Sequence, residues 1–369
     1  MKFKEKLWLV LTVCIIALTV ADCGITQKKP DSPPADTVIP HTSPTEPAAP
    51  ETEPPAEAGP CVTVDGTVLE SGSILLDGTV FVDAEVFFQA LDCDADQMML
   101  SDCRRIYRNR IWLPLMQTCE ALGVSVLNDT ERSVLYCTSG ILNTEIPYNI
   151  RVPVLMYHAV DREIWGHREL FVTPEVMEQH IKFLLNNGYD PIFFEDLPYL
   201  EQYDKPVIIT FDDGYLNNYT ELFPLLQKYQ VKATIFIVTS SIGNKETSMT
   251  PEQVKELSDS GLVSIQSHTV NHRVLQGLSS EEQKTEMEQS RLLVTRMTGR
   301  EPFVISYPTG VFDENTVLLA QKYYRYGVIV LRGDYITGTD PWTIRRYNVR
   351  DTTPIEDLAL MVRDAGLPG

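Results

Sequence analysis

At 369 residues the chain is long enough for two or three domains of about 150 residues each. It carries 31 Lys and Arg against 51 Asp and Glu, a formal net charge of −20 at pH 7. That balance argues against nucleic acid and anionic membrane surfaces as partners, and suits a secreted protein or one that acts on an uncharged or basic polymer.

The first residues read as an export signal. Lys2, Lys4 and Lys6 precede an apolar run from Leu7 to Ala21. The run is shorter than the roughly 20 residues a full membrane span requires, and fits the apolar part of a signal peptide. Residues 1–27 are therefore expected to be cleaved after Ala21, retained as a short membrane anchor, or processed for lipidation at Cys23. Asp22 is unfavourable for lipidation, since a small residue is expected there. Each outcome places the protein outside the cell or at the cell surface. Residues 28–60 form a linker in which ten of the 24 prolines lie, mixed with Thr, Ser, Ala and Glu. Such a stretch cannot build a core and favours extended polyproline II.

Residues 61–140 read as a small α+β module. "TVFVDAEVFFQAL" (79–91) aligns with "RIWLPLMQTCEAL" (110–122) at a period of 31 residues. Each copy predicts a short strand followed by a helix, and the flanks "CVTVDGTVLE" and "RSVLYC" predict further strands. The pattern resembles the copper amine oxidase N-terminal-like domain, although the segment has no histidine and so no expected copper site. Five of the seven cysteines lie here: Cys61, Cys93, Cys103, Cys119 and Cys137. In an exported protein such clustering favours disulfides, whose connectivity the sequence does not give. Cys119 falls on the apolar side of a predicted helix, as a small buried hydrophobe would.

From Val152 onward apolar runs alternate with helical patterns. The runs are "VPVLMY", "YDPIFF", "PVIITF", "ATIFIV", "LVSIQS", "FVISY", "YGVIVL" and "TIRRYNV". Thr173-Pro174 and Thr250-Pro251 each pair an N-cap with proline at the first helical position. Ser279 with Glu282 forms a capping box before a long helix that stops at Gly299. Repeated strand–helix units predict a parallel (β/α) barrel of seven or eight strands over 146–369, with its active site at the C-terminal ends of the strands. Four strands end in polar groups: Tyr157-His158, Asp212-Asp213-Gly214-Tyr215, His268 to His272, and Tyr307-Pro308-Thr309-Gly310. All four are expected on one rim.

The pair in "TFDDGY" is the most informative. Two adjacent carboxylates after a buried strand are costly unless something positive meets them. Nothing basic is near in sequence, so the partner comes from elsewhere in the chain or is a metal. His268 and His272 have the spacing to bind one divalent cation, and one carboxylate completes the set with positions left for water and substrate. The second carboxylate can then act as a base on the attacking water. That chemistry is amide or ester hydrolysis. A glycosidase fits less well, because its two carboxyls stand about 5 to 9.5 Å apart across a sugar bond.

The region from about 152 to 350 resembles the polysaccharide deacetylases, the NodB-like domain of carbohydrate esterase family four. "TFDDGY" matches the family's first motif, "HTVNH" its second, and "YPTG" its third. "VLMYHAV" and "ATIF" resemble the branch containing poly-β-1,6-N-acetylglucosamine deacetylases. The resemblance implies Asp213, His268 and His272 as metal ligands and Asp212 as general base. It assigns a backbone N–H at Thr309 to the oxyanion hole, where the family usually has tyrosine. The family's late histidine, its usual general acid, has no counterpart after His272. By position His158 takes that role. Trp342 in "TDPWTIRR" stands for the fourth motif or caps the barrel, and Tyr215, Tyr307 and Trp342 are the candidate sugar contacts, with plain packing the alternative for Tyr215 and Tyr307. Asp/His₂ ligands suit zinc, with cobalt or nickel able to substitute.

The expected function is metal-dependent removal of N-acetyl groups from an extracellular polysaccharide, an N-acetylglucosamine polymer or peptidoglycan. The alternatives are an O-acetyl polysaccharide esterase and a non-catalytic carbohydrate-binding surface protein with a vestigial site. Because every motif follows Val152, residues 146–369 are expected to act without the middle module.

Overall fold

The computed structural model describes residues 56–70, 72–92, 104–108, 110–139 and 146–369. The expected export segment and most of the proline-rich linker, with Cys93 and Cys103, lie outside the described residues. Among the described residues no helix is long and apolar enough to cross a membrane.

By contacts the chain divides into two compact units, one of residues to Gly59 with Ser71–Leu122, the other of Pro60–Glu70 with Gly123–Gly369. In the first unit, five antiparallel strands are ordered Glu57–Ala58, Ser73–Leu76, Thr79–Asp83, Arg110–Pro114, Arg105–Tyr107. The two copies of the repeat pair with each other, Val82 opposite Leu113 and Asp83 opposite Trp112. Each copy's strand runs directly into its helix, Ala84–Ala90 and Leu115–Leu122. Asp83 caps the first helix through the amides of Glu85 and Val86, and its other oxygen receives Arg110. Cys119 is buried, as its helical position predicts.

The second unit takes the remaining strands of the expected middle module. Thr67–Val68, Cys61–Val64, Val134–Thr138 and Ser125–Asp129 form a four-stranded sheet in that order. By contacts these strands group with residues 146–369.

The rest of this unit is the predicted barrel. Its strands are β1 (Val154–Tyr157), β2 (Asp190–Ile192), β3 (Pro206–Phe211), β4 (Ala233–Ile237), β5 (Val263–Ser267), β6 (Val304–Ser306), β7 (Tyr326–Val328) and β8 (Tyr347–Asn348). All pairings are parallel, in the order β7-β6-β5-β4-β3-β1-β8. β2 is wedged beside the first half of β3, and β4 pairs with its second half. A single bridge, Val328 to Ile344, links β7 to the segment entering β8, so the sheet curls into a distorted barrel. Every residue of β3 is buried, as expected for a parallel strand covered on both faces.

The helices start and stop where the sequence signals. α1 (Pro174–Asn186) is capped by Thr173, α3 (Pro251–Asp259) by Thr250 and α4 (Ser280–Thr298) by Ser279; α2 (Phe223–Tyr229), α5 (Glu314–Tyr323) and α6 (Ile355–Val362) complete the set. α1 buries Met177, Ile181 and Leu184, spaced to share one face, in the same core as Leu155 and Ile209. Each such side chain contributes about 1.5–3 kcal/mol on burial. α4 ends at Gly299 in a left-handed conformation, φ 78°. A Cβ there would lie 2.3 Å from the Cα of Gly66, so the four-stranded sheet and the end of α4 approach backbone to backbone.

One ion pair fastens that approach. Asp129, fully buried, receives Nε and Nη2 of Arg296 at 2.7 Å each. These hydrogen bonds hold its carboxyl below the usual carboxylate range, against the opposing effect of burial. Asp129→Asn is therefore expected to destabilise the second unit by about 3 kcal/mol, read from urea unfolding at neutral pH. A depressed carboxyl stabilises the fold above its unfolded pKa of about 3.9 and loses that contribution as the pH falls toward its folded value. The gap between parent and variant should therefore shrink below about pH 4. A gap constant down to pH 3 would show that the charge on Asp129 is not its source.

Candidate active site

Parallel register brings the first acid to the rim. Tyr157 in β1 lies opposite Phe211 in β3, and the amide of Asp212 donates to the Tyr157 carbonyl at 3.0 Å. The backbone then turns through two left-handed residues, Asp213 at φ 75° and Gly214 at φ 73°. A side chain on Gly214 would meet Ile237 Cγ2 at 2.9 Å, so glycine is required for the turn to lie against β4. The two adjacent carboxylates leave this turn with different partners.

Asp212 is buried and meets Arg346. Nη1 and Nη2 of Arg346 donate to its two oxygens at 2.7 Å each, and Ser306 Oγ adds a third bond at 3.2 Å. Arg346 is itself fully buried and also donates to Thr210 Oγ1, Ser306 Oγ and the Ile329 carbonyl. All five guanidinium hydrogens are thereby used. Burial alone would raise the Asp212 carboxyl; the charge and hydrogen bonds of Arg346 hold it well below the carboxylate range instead. Asp212 is ionised at any working pH.

Asp213 meets the histidines. Nε2 of His268 and Nε2 of His272 each stand 3.5 Å from Asp213 Oδ1. One ligand atom from each of the three residues lies within 4.8 Å of the other two. Nδ1 of His268 is 2.7 Å from the Ser306 carbonyl, which can only accept. That nitrogen therefore carries the hydrogen, and the Nε2 lone pair is left facing Asp213. One carboxylate and two imidazoles so oriented are a donor set that fits a divalent cation. Burial, then the neighbouring His268, lowers the His272 imidazole and keeps it in the neutral form a ligand needs.

The loop joining the histidines is fixed from behind by α4. Glu286, almost fully buried, accepts the amides of Val270 and Asn271 on Oε2 and the Asn271 side chain on Oε1, each at 2.9 Å. Thr269 and His272 hold left-handed backbones, φ 66° and 56°. Such conformations persist where surrounding bonds impose them.

His158 follows β1, as its position predicts, and is half-buried. Its carbonyl receives Asn218 Nδ2 at 2.8 Å. Burial lowers its imidazole below the ordinary value, against the pull of Asp212 and Asp213. Thr309 sits exposed in the short turn Pro308–Gly310 after β6, with φ 59°. A β-branched residue in that region is strained. Tyr215 is half-buried beside the cluster; burial, and then the charge of Asp213, raise its hydroxyl.

One expected sugar contact is corrected. Tyr307 has no exposed surface; its ring packs with Phe312 in a core cluster that includes Leu275 and Ile305. Trp342 packs against the same cluster, and its indole N–H donates to the Tyr324 carbonyl. Tyr307 is structural, whereas Trp342 is only half-buried. Conversely, Arg346, Glu286 and Ser306 belong to the site and are not evident from motifs. Arg346 carried one signal: in "TIRRYNV", strand alternation puts it on the face of buried Ile344, opposite exposed Arg345.

The fold and the Asp/His₂ cluster at the strand ends define an α/β-barrel hydrolase. Residues 200–327 match the family model for polysaccharide deacetylase. The chain is 39% identical over 197 residues to YxkH of Bacillus subtilis, assigned by name to the polysaccharide deacetylases, covering 52% of this chain and 68% of that protein. It is 31% identical over 144 residues to the poly-β-1,6-N-acetyl-D-glucosamine N-deacetylase of Escherichia coli K12, covering 34% of this chain but only 21% of that enzyme. Among solved structures it resembles BA0330 of Bacillus anthracis, named as a polysaccharide deacetylase, with TM-score 0.55 and 32% identity over 57% of this chain and 69% of that one. The deacetylase PplD of Streptococcus pyogenes, solved with acetate, gives TM-score 0.54 at 27% identity, over 58% and 99% respectively. The chain belongs to the polysaccharide deacetylase family.

The bonds of Glu286 give a test of how the histidine loop is held. Glu286→Ala is expected to weaken affinity for a divalent cation by about 10- to 100-fold, the usual effect of losing a group behind the ligands. Competition with a chromogenic chelator measures it. An unchanged affinity would mean that the loop holds its shape without the carboxylate.

Proposed function

We propose that this protein removes N-acetyl groups from an extracellular polymer of N-acetylglucosamine, with Asp213, His268 and His272 holding a divalent cation. The observation that carries this reading is the convergence of two imidazole Nε2 atoms on Asp213 Oδ1, beside a second carboxylate held ionised by Arg346. Zinc suits the donor set, and cobalt or nickel can substitute. The relatives named as deacetylases of poly-β-1,6-N-acetyl-D-glucosamine and of peptidoglycan N-acetylmuramic acid support the substrate class. A net charge of −20 favours an uncharged polymer, whose product gains positive charge. A vestigial carbohydrate-binding protein would not be expected to retain all three ligands and the base.

When bound, the cation polarises the acetyl carbonyl and acidifies water. The remaining work falls to the chain. Asp212 takes a proton from the attacking water, oriented by the fork of Arg346. His158, level with Asp212 across the β1–β3 pair, receives that proton. The imidazolium then donates it to the amide nitrogen as the C–N bond breaks, giving a free amine and acetate. The backbone amide of Thr309 serves the developing oxyanion.

The test is acetate release from N-acetylglucosamine oligomers and from peptidoglycan, abolished by chelation and restored by zinc. Metal-loaded protein that releases no acetate from either polymer would overturn the reading. Asp213→Asn and His268→Ala should lose both metal and turnover. Asp212→Asn should keep its metal, lose at least about 100-fold in turnover, and melt at a lower temperature because Arg346 is left unpaired. A metal-free Asp212 variant alongside a metal-bound Asp213 variant would reverse the two roles.

The proton route gives a separate prediction. His158→Ala should keep its metal and lose about 10²- to 10⁴-fold in rate on amide substrates. An acetate ester with a good leaving group needs less protonation and should suffer much less. Equal losses on amide and ester would make His158 a positioning residue.

A further inference from the structure

The loop that follows β1 carries an aromatic side chain that no part of the mechanism uses. Trp165 is 44% exposed, and its neighbour Ile164 is equally open. Yet the indole is fixed on several sides. Its ring meets Tyr215 edge to face at 4.9 Å and Phe171 edge to face at 5.0 Å. Its N–H points to Asp161 Oδ2 at 3.4 Å. Asp161 is held in turn by Asn217 Nδ2 at 3.3 Å and by the amide of Glu163 at 3.0 Å. Tyr215 and Asn217 lie on the turn that carries Asp213, so the indole is tied directly to the segment holding the metal-ligand carboxylate.

A large ring held rigid but left open to water is poorly explained by packing, because the exposed part contributes no burial. It is well explained as half of a contact. Two-ring support fixes the indole at little entropic cost on binding, as a rigid aromatic anchor requires. The occupant must be flat, partly apolar and not anionic, given the net charge of −20. The C–H face of a pyranose ring meets those conditions, while the sugar hydroxyls at its edge remain in water.

We propose that Trp165 is a stacking platform for an N-acetylglucosamine residue of the polymer, at the mouth of the site, and that it sets a preference for oligomers over small acetylated compounds. The proposal rests on the function argued above and names a specificity element of that same site. It also takes the place of Tyr307, which is committed to the core, as an aromatic surface for sugar.

The experiment compares the parent protein, Trp165→Ala and Trp165→Phe in the zinc-loaded full chain. Substrates are an N-acetylglucosamine oligomer and a small aryl acetate. For Trp165→Ala, KM on the oligomer should rise about tenfold, in line with the loss of one aromatic contact. Its kcat should stay within about twofold, and the loss on the aryl acetate should be at least about fivefold smaller. Trp165→Phe should recover most of the oligomer KM. Equal losses on the two substrates, or an oligomer KM that does not move, would overturn the platform. Calorimetric binding of the oligomer separates this from the function itself. If the parent releases no acetate, the deacetylase reading fails, and the platform is then supported by weaker oligomer binding in Trp165→Ala or overturned by equal binding.

Discussion

The site depends first on a buried arginine. Arg346 places a full charge inside the barrel, where an unpaired ion would be prohibitive, and spends every N–H on the ends of three strands. Thr210 and Asp212 come from β3 and its end, Ser306 from β6, and Ile329 from the end of β7. Removing either member of the Asp212–Arg346 pair leaves the other charged and buried, a loss of about 3–5 kcal/mol. The pair also divides labour between two adjacent acids. With both oxygens of Asp212 engaged by the guanidinium, Asp213 alone is left to face the histidines. Chemically equivalent neighbours thus acquire different roles from their partners.

Around that pair the rim stores strain. Asp213, Thr269, His272 and Thr309 all hold left-handed backbones. Each is unfavourable by of order 1 kcal/mol or more and persists only where neighbours over-determine it. Here the neighbours are identifiable. Glu286 holds the amides between the two histidines, and the Ser306 carbonyl holds His268. Ser306 joins the halves of the site, since its carbonyl orients the His268 imidazole while its hydroxyl meets Asp212.

The legible and illegible parts of the sequence differ by what local pattern encodes. Strand runs, helix caps and the Gly299 stop are local, and the structure has them. The rim rule also placed His158, Asp212, Asp213, His268 and His272 at strand ends, because the chain direction of parallel strands fixes which end is which. It gave position but not direction. Tyr307 follows β6 with the parity of Ile305 and shares its core cluster, whereas Ser306 turns the other way, to Asp212. Arg346 was hidden because its partner lies 134 residues away in sequence. Trp165 was hidden because an irregular loop has no periodicity. The strands at 61–64 and 134–138 were legible as strands, but alternation does not say which sheet they join; Arg296 and Asp129 do.

That last contact changes how the motif-bearing region relates to what precedes it. α4 buries an unusually polar face: Gln283, Glu286, Ser290, Thr295 and Thr298 are all inside. Directional bonds, rather than apolar packing alone, therefore fix its register. Glu286 grips the histidine loop near one end. Ser290 bonds Ser267 of β5 in the middle at 2.8 Å, and Arg296 grips Asp129 near the other end. Glu301, just beyond the helix, pairs with Arg291, accepts a hydrogen bond from Ser125 Oγ, and donates its backbone N–H to Thr138 Oγ1. Residues 146–369 contain every motif, yet without residues 123–139 Arg296 would lose Asp129 and Glu131, and Glu301 its bonds to Ser125 and Thr138, at the foot of the helix that shapes the histidine loop. The motifs begin at Val152, but the bonds that hold them in place begin earlier in the chain.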